Sequence, residues 1–188
     1  MMTTLIFSDG ARLLEDFLDP AEEAAWLEAI DAGEWSLEIG RRVQHYGFRY
    51  DYSRRTAGRA EPAAPFPAWA TAAAERLEDI FGGTRPEQCI VNEYLPGQGI
   101  GMHADADAFG AVIVSISLGS DWPMRFRPRY GQPYSRDGLA GDKVVTLPAR
   151  SALVLAGSAR TRWMHGIDRR DTAGERHRRV SATFRTLA

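Results

Sequence analysis

Two stretches of the chain repeat their apolar residues at helical spacing, and most of the remainder alternates apolar with polar. "DFLDPAEEAAWLEAIDAG", residues 16–33, reads as a helix. Asp19 is placed to cap it, Pro20 suits the first helical position, and Glu22 and Glu23 complement the positive end of the dipole. Leu27 and Ile30 face inward with Ala or Trp26 beside them, and Gly33 stops the helix. "PAWATAAAERLEDIFGG", residues 67–83, repeats the pattern with Trp69, Ala73, Leu77 and Ile80, and Gly82–Gly83 ends it. Both read as packing elements.

Between the helices, "RRVQHYGFRYDYSRR" alternates, so Tyr46, Phe48, Tyr50 and Tyr52 fall on one face of an extended chain flanked by arginines. "SRRTAGRAEPAAPFP" then reads as a flexible connection. From Gln88 onward the pattern is nearly all strand: CIVNEYL, AVIVSISLG, PMRFRP, DKVVTL, SALVLAG and RRVSATFRTL. The turns LPGQG, GSDWP, RYGQP, DGLAGD and LPARS separate them. Short strands with this punctuation predict a β-sandwich or barrel behind two N-terminal helices. There is no repeat and no sign of a second domain. The expectation is one domain over residues 1–188, with helices in 1–85 and a β core in 86–188.

Composition agrees with this picture. A chain of 188 residues with 44% hydrophobic content can bury a proper core. Its one cysteine, Cys89, excludes an intrachain disulfide and a Cys-based zinc site, and fits a reducing compartment. The first residues lack the basic-then-apolar pattern of a signal peptide. No run approaches the ~20 apolar residues of a membrane span. A soluble cytoplasmic protein with no obligate protein partner is expected.

The net charge of -2 hides an asymmetry. Residues 1–40 carry ten acidic side chains and one basic, Arg12, whereas residues 121–188 carry fourteen basic and six acidic. The C-terminal third could present a positive face to a polyanion. The alternative is that arginine is simply abundant, since Lys143 is the only lysine.

Candidate chemistry begins in "GIGMHADADAFG", residues 99–110. His103 and Asp105 stand two apart beside an apolar strand, so an extended chain sends both to one face. His165 in "RTRWMHGIDRR" follows another strand candidate and would sit on a neighbouring strand end or loop. Two histidines and a carboxylate make a facial triad that leaves coordination positions open, as non-haem Fe(II) requires. Spacing alone leaves surface histidines as the alternative. In "RRVSATFR", Arg179, Ser181, Thr183 and Arg185 share one face and Val180, Ala182 and Phe184 the other. That is a strand with one side in the core and one lining a polar cavity. Its arginines need anions, and a dicarboxylate suits their planar forks. Asn92 and Tyr94 in "IVNEYL" add polar groups on one face. A solvated strand face and a packing Tyr are the alternatives.

Taken together, "VNEYLPGQGIGMHADADAFGAVIVSISLGS", "SALVLAG…RWMHGI" and "RRVSATFR" resemble the AlkB family of Fe(II)- and 2-oxoglutarate-dependent dioxygenases over residues 88–186. The resemblance implies an α+β, mainly β fold: a double-stranded β-helix, or jelly roll, with N-terminal helices packed on one side. It implies iron on His103, Asp105 and His165. It also implies 2-oxoglutarate held by Asn92, Tyr94, Arg179, Ser181 and Arg185, with Arg179 on the distal carboxylate, and O₂ at the metal. Such chemistry releases succinate and CO₂ and oxidises a C–H bond held nearby; on an N-methyl base, formaldehyde is lost.

The resemblance also divides on substrate. Repair-type members carry Asn where this chain has Ser181, and a transfer-RNA-modifying branch has Ser. That branch shares "HYGF", "PGQGI", "SLGS", "LPARS" and a Trp two before the final His, here Trp163. Asp107 matches a base-contacting position of repair-type members. The family builds a nucleotide lid in the region of Arg41–Arg55, so Tyr46, Tyr50, Arg54 and Arg55 are expected at substrate; the alternative is a hairpin whose aromatics pack on the core. The expected function is oxidative dealkylation of alkylated bases in DNA or RNA. Alternatives are hydroxylation of a modified transfer-RNA base or of a protein side chain, and, from another class, a non-enzymatic metal-binding β-sandwich.

Overall fold

The computed structural model describes residues 3–7, 10–38, 40–51, 56–129, 142–169 and 178–188. The chain opens with a hairpin, β1 (Thr3–Phe7) and β2 (Ala11–Leu14), followed by α1 (Pro20–Ala32). Strands β3 (Ser36–Glu38), β4 (Arg41–Tyr46), β5 (Phe48–Asp51) and β6 (Thr56–Pro62) precede α2 (Ala68–Leu77). Then come β7 (Gln88–Tyr94), β8 (Ile100–His103), β9 (Phe109–Gly119), β10 (Trp122–Pro128) and β11 (Lys143–Leu147). The chain ends with β12 (Ala152–Leu155), the short α3 (Gly157–Thr161), β13 (Trp163–Ile167) and β14 (Arg179–Leu187).

A large sheet runs β1-β2-β12-β9-β14-β7-β4-β3, and a small one runs β11-β10-β13-β8. Their facing sides share one core: Tyr94, Ile113, Leu153 and Leu155 from the large sheet meet Trp122, Phe126, Leu147 and Trp163 from the small. This is the jelly-roll arrangement that the resemblance implies, within the sandwich-or-barrel class that the strand pattern predicts. The other face of the large sheet is covered by both helices, with Trp26, Ile30, Trp69, Ala73 and Leu77 against Val91, Val114, Ile116, Val180 and Phe184.

The strand period of two accounts for this division. On β14, Val180, Ala182 and Phe184 enter the helix-side core, which leaves Arg179, Ser181, Thr183 and Arg185 facing the small sheet. Helix α1 forms as its sequence predicts. Asp19 accepts from the backbone N–H of Ala21 and Glu22, both at 2.8 Å, while the Glu22 carboxylate accepts from the Asp19 N–H at 2.8 Å, a reciprocal capping box. Among the described residues, no helix is long and apolar enough to cross a membrane.

The first 85 residues depart from the expectation in two ways. They are not helices set apart from a β core, because β2 pairs with β12 and β4 with β7 inside the large sheet. A strand as short as "ARLL" carries too few alternations to be read, and its pairing comes from residues about 140 positions away. Secondly, the flexible connection expected over residues 53–67 contains β6, which pairs with β5 through Tyr50↔Ala57 and Asp51↔Thr56.

The four aromatics of residues 46–52 do not line one strand either. Gly47 adopts φ +79, and a Cβ there would lie 1.9 Å from the Glu87 carbonyl oxygen. Only glycine fits, so the chain turns between β4 in the large sheet and β5 in a separate two-stranded sheet.

Candidate active site

His103 is the last residue of β8 and His165 the centre of β13, and the two are direct cross-strand partners. Their rings lie 4.5 Å apart between centroids. The His103 Nδ1 is 2.9 Å from the Gly101 carbonyl oxygen, which can only accept. That bond requires an N–H on Nδ1, so Nε2 is the ring nitrogen that would ligate a metal. Burial, and after it the neighbouring His103, push His165 down to about 4, so its imidazole is neutral at physiological pH.

Asp105 follows β8 by two residues and is buried. Arg185 donates to its Oδ1 from Nη2 at 2.7 Å and Nε at 3.2 Å. Burial alone would raise this carboxyl, but Arg185, His165 and His103 together hold it below the usual carboxylate range. Its free Oδ2 lies 3.5 Å from His165 Nε2. The loop carrying it is clamped by the buried Arg160, which donates to the carbonyls of Asp105 at 3.1 Å, Ala106 at 2.7 Å and Phe109 at 3.4 Å.

Among the described residues, no three His, Cys, Asp or Glu side chains already stand at the spacing of a closed metal cage. The donor set nevertheless suits a divalent ion. Two donors about 2.1 Å from one ion and at right angles to each other stand about 3 Å apart, close to the separation of Asp105 Oδ2 and His165 Nε2. Two imidazoles and one carboxylate are the donors that a facial triad requires.

The same cavity is floored by the large sheet, and its lining includes Asn92, Tyr94, Arg179, Ser181 and Arg185 together with His103, Asp105 and His165. The sheet register places Ser181 opposite Asn92 on one side and Ser117 on the other, and Arg179 opposite Tyr94. Arg179 is 1% exposed. Its Nε and Nη2 donate to the Ser117 hydroxyl at 3.2 and 2.9 Å, and its guanidinium lies 5.4 Å from the centre of the Tyr94 ring. No carboxylate reaches it among the described residues, and burial pushes it down to about 10.

Hydroxyls fill the floor between the arginines: Ser115 and Ser181 are 2.9 Å apart, and Thr183 donates to Ser115 at 3.2 Å. Ser115 and Ser117 were legible only as hydroxyls at period two within the apolar strand "VIVSISLG". Arg160 and Arg41 have no such signature.

Behind the floor, on the helix side, a second set of charges ties three strands together. The buried Glu93 accepts from Arg42 Nε at 2.7 Å and Arg178 Nε at 2.8 Å, and Arg178 Nη1 donates to Asp31 at the end of α1 at 2.9 Å. These arginines hold both Glu93 and Asp31 below the ordinary carboxylate range.

The cavity opens into an outer bowl of about 1050 Å³, whose lining shares Asn92, His103, Asp105 and Arg185 with it and adds Arg41, Asp107, Arg129 and Arg169. Asp107 is exposed at this mouth. Tyr46 is a correction: its ring packs edge-on to Trp69 at 6.0 Å and its hydroxyl donates to Gln44 at 2.9 Å, on the helix side of the sheet. The turn at Gly47 sends it there. The backbone of Tyr50 lies on β5; Tyr52, Arg54 and Arg55 lie outside the described residues.

Comparison with known proteins matches residues 36–185 to the sequence model of the 2OG-Fe(II) oxygenase superfamily. An Arabidopsis thaliana protein, "Alkylated DNA repair protein ALKBH8 homolog", is 34% identical over 84% of this chain and 50% of its own length. The human "Alpha-ketoglutarate-dependent dioxygenase alkB homolog 4" is 33% identical over 95% of this chain and 67% of its own length. The chain thus spans half the length of the Arabidopsis relative. A Xenopus tropicalis relative, "tRNA (carboxymethyluridine(34)-5-O)-methyltransferase alkbh8", is 33% identical, and the match covers 25% of its length. Among solved structures, that of OsALKBH1 superposes with a TM-score of 0.70 over 98% of this chain and 100% of that one, at 18% identity, a likeness of fold.

Proposed function

The chain belongs to the AlkB family within the 2OG-Fe(II) oxygenase superfamily, and from that premise we propose that it oxidatively dealkylates alkylated bases in DNA or RNA. It is a dioxygenase that uses Fe(II), 2-oxoglutarate and O₂. Family membership sets aside the non-enzymatic alternative. In this reading residues 1–188 act as one dioxygenase domain. The single cysteine of the chain fits the cytoplasm as its compartment.

The observation that carries the reading is Arg179. A guanidinium this deeply buried, with only a hydroxyl and an aromatic ring for partners among the described residues, is a charge awaiting an anion. It shares one cavity with His103, Asp105 and His165. A dicarboxylate long enough to reach from Arg179 to that donor set accounts for both.

His103, Asp105 and His165 are the residues that would hold Fe(II). Bound there, the metal supplies the oxidation: one oxygen atom of O₂ enters the substrate C–H bond, and the co-substrate leaves as succinate and CO₂. The chain does the rest. Arg179 binds the far carboxylate, with Asn92, Tyr94, Ser181 and Arg185 around the rest of the co-substrate. Arg160 fixes the loop that aims Asp105. The outer bowl orients the base, with Asp107 at its mouth and Arg129 and Arg169 in its lining on the side of the phosphates. On an N-methyl base, the N–CH₂OH product breaks its C–N bond, returning a proton to nitrogen and releasing formaldehyde.

A second reading, hydroxylation of a modified transfer-RNA base, is favoured by Ser181 and by the four arginines that stand against two aspartates in the lining of the bowl. The two differ in product. Protein with Fe(II), ascorbate and 2-oxoglutarate is incubated with a panel of modified oligonucleotides and read by mass spectrometry. One formaldehyde per succinate, with loss of the alkyl group, is the expected result. A product that keeps its carbon and gains one oxygen replaces the first reading with the second.

A further inference from the structure

Arg41 begins β4 and is 4% exposed, yet among the described residues it has no carboxylate. Its Nε donates to Asn92 Oδ1 at 3.0 Å, and its guanidinium lies 5.1 Å from the centre of the Tyr94 ring. Arginine carries donors and no acceptor. An asparagine amide is an acceptor at one end and a double donor at the other, and its orientation follows from its neighbours. With Arg41 on Oδ1, Nδ2 is the amide atom left to donate into the cavity that Asn92 lines.

We propose that Arg41 is a positioning residue for the co-substrate: it fixes the Asn92 carboxamide so that its N–H donors, and not its oxygen, meet the carboxylate of 2-oxoglutarate. This rests on the reading of the cavity given above. Without Arg41 the amide turns freely, and half of its orientations would set an oxygen lone pair against an anion.

The test is isothermal titration of 2-oxoglutarate into Mn(II)-loaded protein, with melting temperature as the control for folding. Arg41→Met is expected to weaken binding about tenfold, the size of one fixed hydrogen bond to a charged group. Arg41→Lys keeps a donor for Oδ1 and should stay within about threefold of the parent. Asn92→Asp separates the local contact from its purpose. It gains an ion pair with Arg41 and keeps its melting temperature, yet it places an acceptor against the co-substrate and should lose at least a hundredfold. Arg41→Met combined with Asn92→Ala should bind no more weakly than Asn92→Ala alone.

Parental affinity in Arg41→Met or Asn92→Asp overturns the proposal, as do strictly additive losses in the double variant. Arg179→Ala keeps the two levels apart. If it too binds normally, the cavity reading itself fails. If it loses binding while Arg41→Met does not, only the role of Arg41 falls.

Discussion

Replacing Arg179 with methionine should move stability and co-substrate affinity in opposite directions. The guanidinium is 1% exposed and pushed from 12.5 to about 10 by burial. A shift of that size corresponds to about 3 kcal/mol by which folding disfavours the charged form. Because the folded value is depressed and the group is a base, the penalty is present in full at neutral pH. It is relieved only as pH rises through about 10.

Methionine fills a similar volume and removes the charge. Against this, the Ser117 hydroxyl loses its two arginine contacts, worth about 1–2 kcal/mol in a buried place. The apo protein should therefore be unchanged or up to about 2 kcal/mol more stable, a melting temperature up to roughly 4–8 °C higher for a chain of this size. Binding should move the other way. Loss of one partner from a buried ion pair is worth about 3–5 kcal/mol, so the dissociation constant of 2-oxoglutarate should rise by about two to three orders of magnitude. Adding 2-oxoglutarate should also raise the melting temperature of the parent and not of the variant. The assay is scanning fluorimetry with and without 2-oxoglutarate, alongside titration calorimetry. A variant that melts lower and binds as well as the parent would refute the reasoning, because Arg179 would then be structural.

Three further outcomes are expected. Asp105→Ala should abolish turnover and Mn(II) binding in calorimetry, and should lower stability because, among the described residues, Arg185 keeps only Gln88 as a polar partner; near-normal turnover would remove Asp105 from the metal site. Glu93 and Asp31 have lowered folded values, so their stabilisation is present above the ordinary carboxylate range and is lost as pH falls through those lowered values. Acid unfolding followed by circular dichroism should show this, and Glu93→Gln should cost about 2 kcal/mol at pH 7, below the range for a fully buried pair since both arginines reach solvent; no change at either pH would contradict the network. Arg54→Ala with Arg55→Ala should weaken oligonucleotide binding and flatten its salt dependence while leaving uncoupled succinate production intact; unchanged binding would direct attention to Arg129 and Arg169.

How much of this was legible in the sequence depended on whether a residue's role is set locally. The cap of α1 needs only Asp19 and Pro20, and it formed as read, while the return bond from Glu22 that completes a capping box is added by the structure. The two faces of β14 follow from a period of two within nine residues, so Arg179, Ser181 and Arg185 could be assigned to the cavity side. Tyr46 failed because one glycine between it and Phe48 breaks the periodicity that grouped them, and the need for that glycine is the distant Glu87 carbonyl. Strands β2 and β6 were missed because partner strands specify them rather than their own side chains. Arg160 and Arg41 are invisible for a related reason: each acts on a carbonyl or amide more than fifty positions away.

The charges behind the cavity floor have a consequence for how such a site could diversify. Arg41 and Arg42, Asn92 and Glu93, and Arg179 and Arg178 are consecutive pairs on β4, on β7 and at the start of β14, one member forward and one behind. The rear members bind one another across the sheet and so lock the alignment of β4, β7 and β14 without touching anything in the cavity. A single inserted or deleted residue in any of these strands would exchange clasp for pocket, and is therefore barred. Substitution at the forward positions leaves the clasp intact. The lineage is thus free to alter what the floor recognises one side chain at a time, while the scaffold that spaces those side chains stays fixed from the rear.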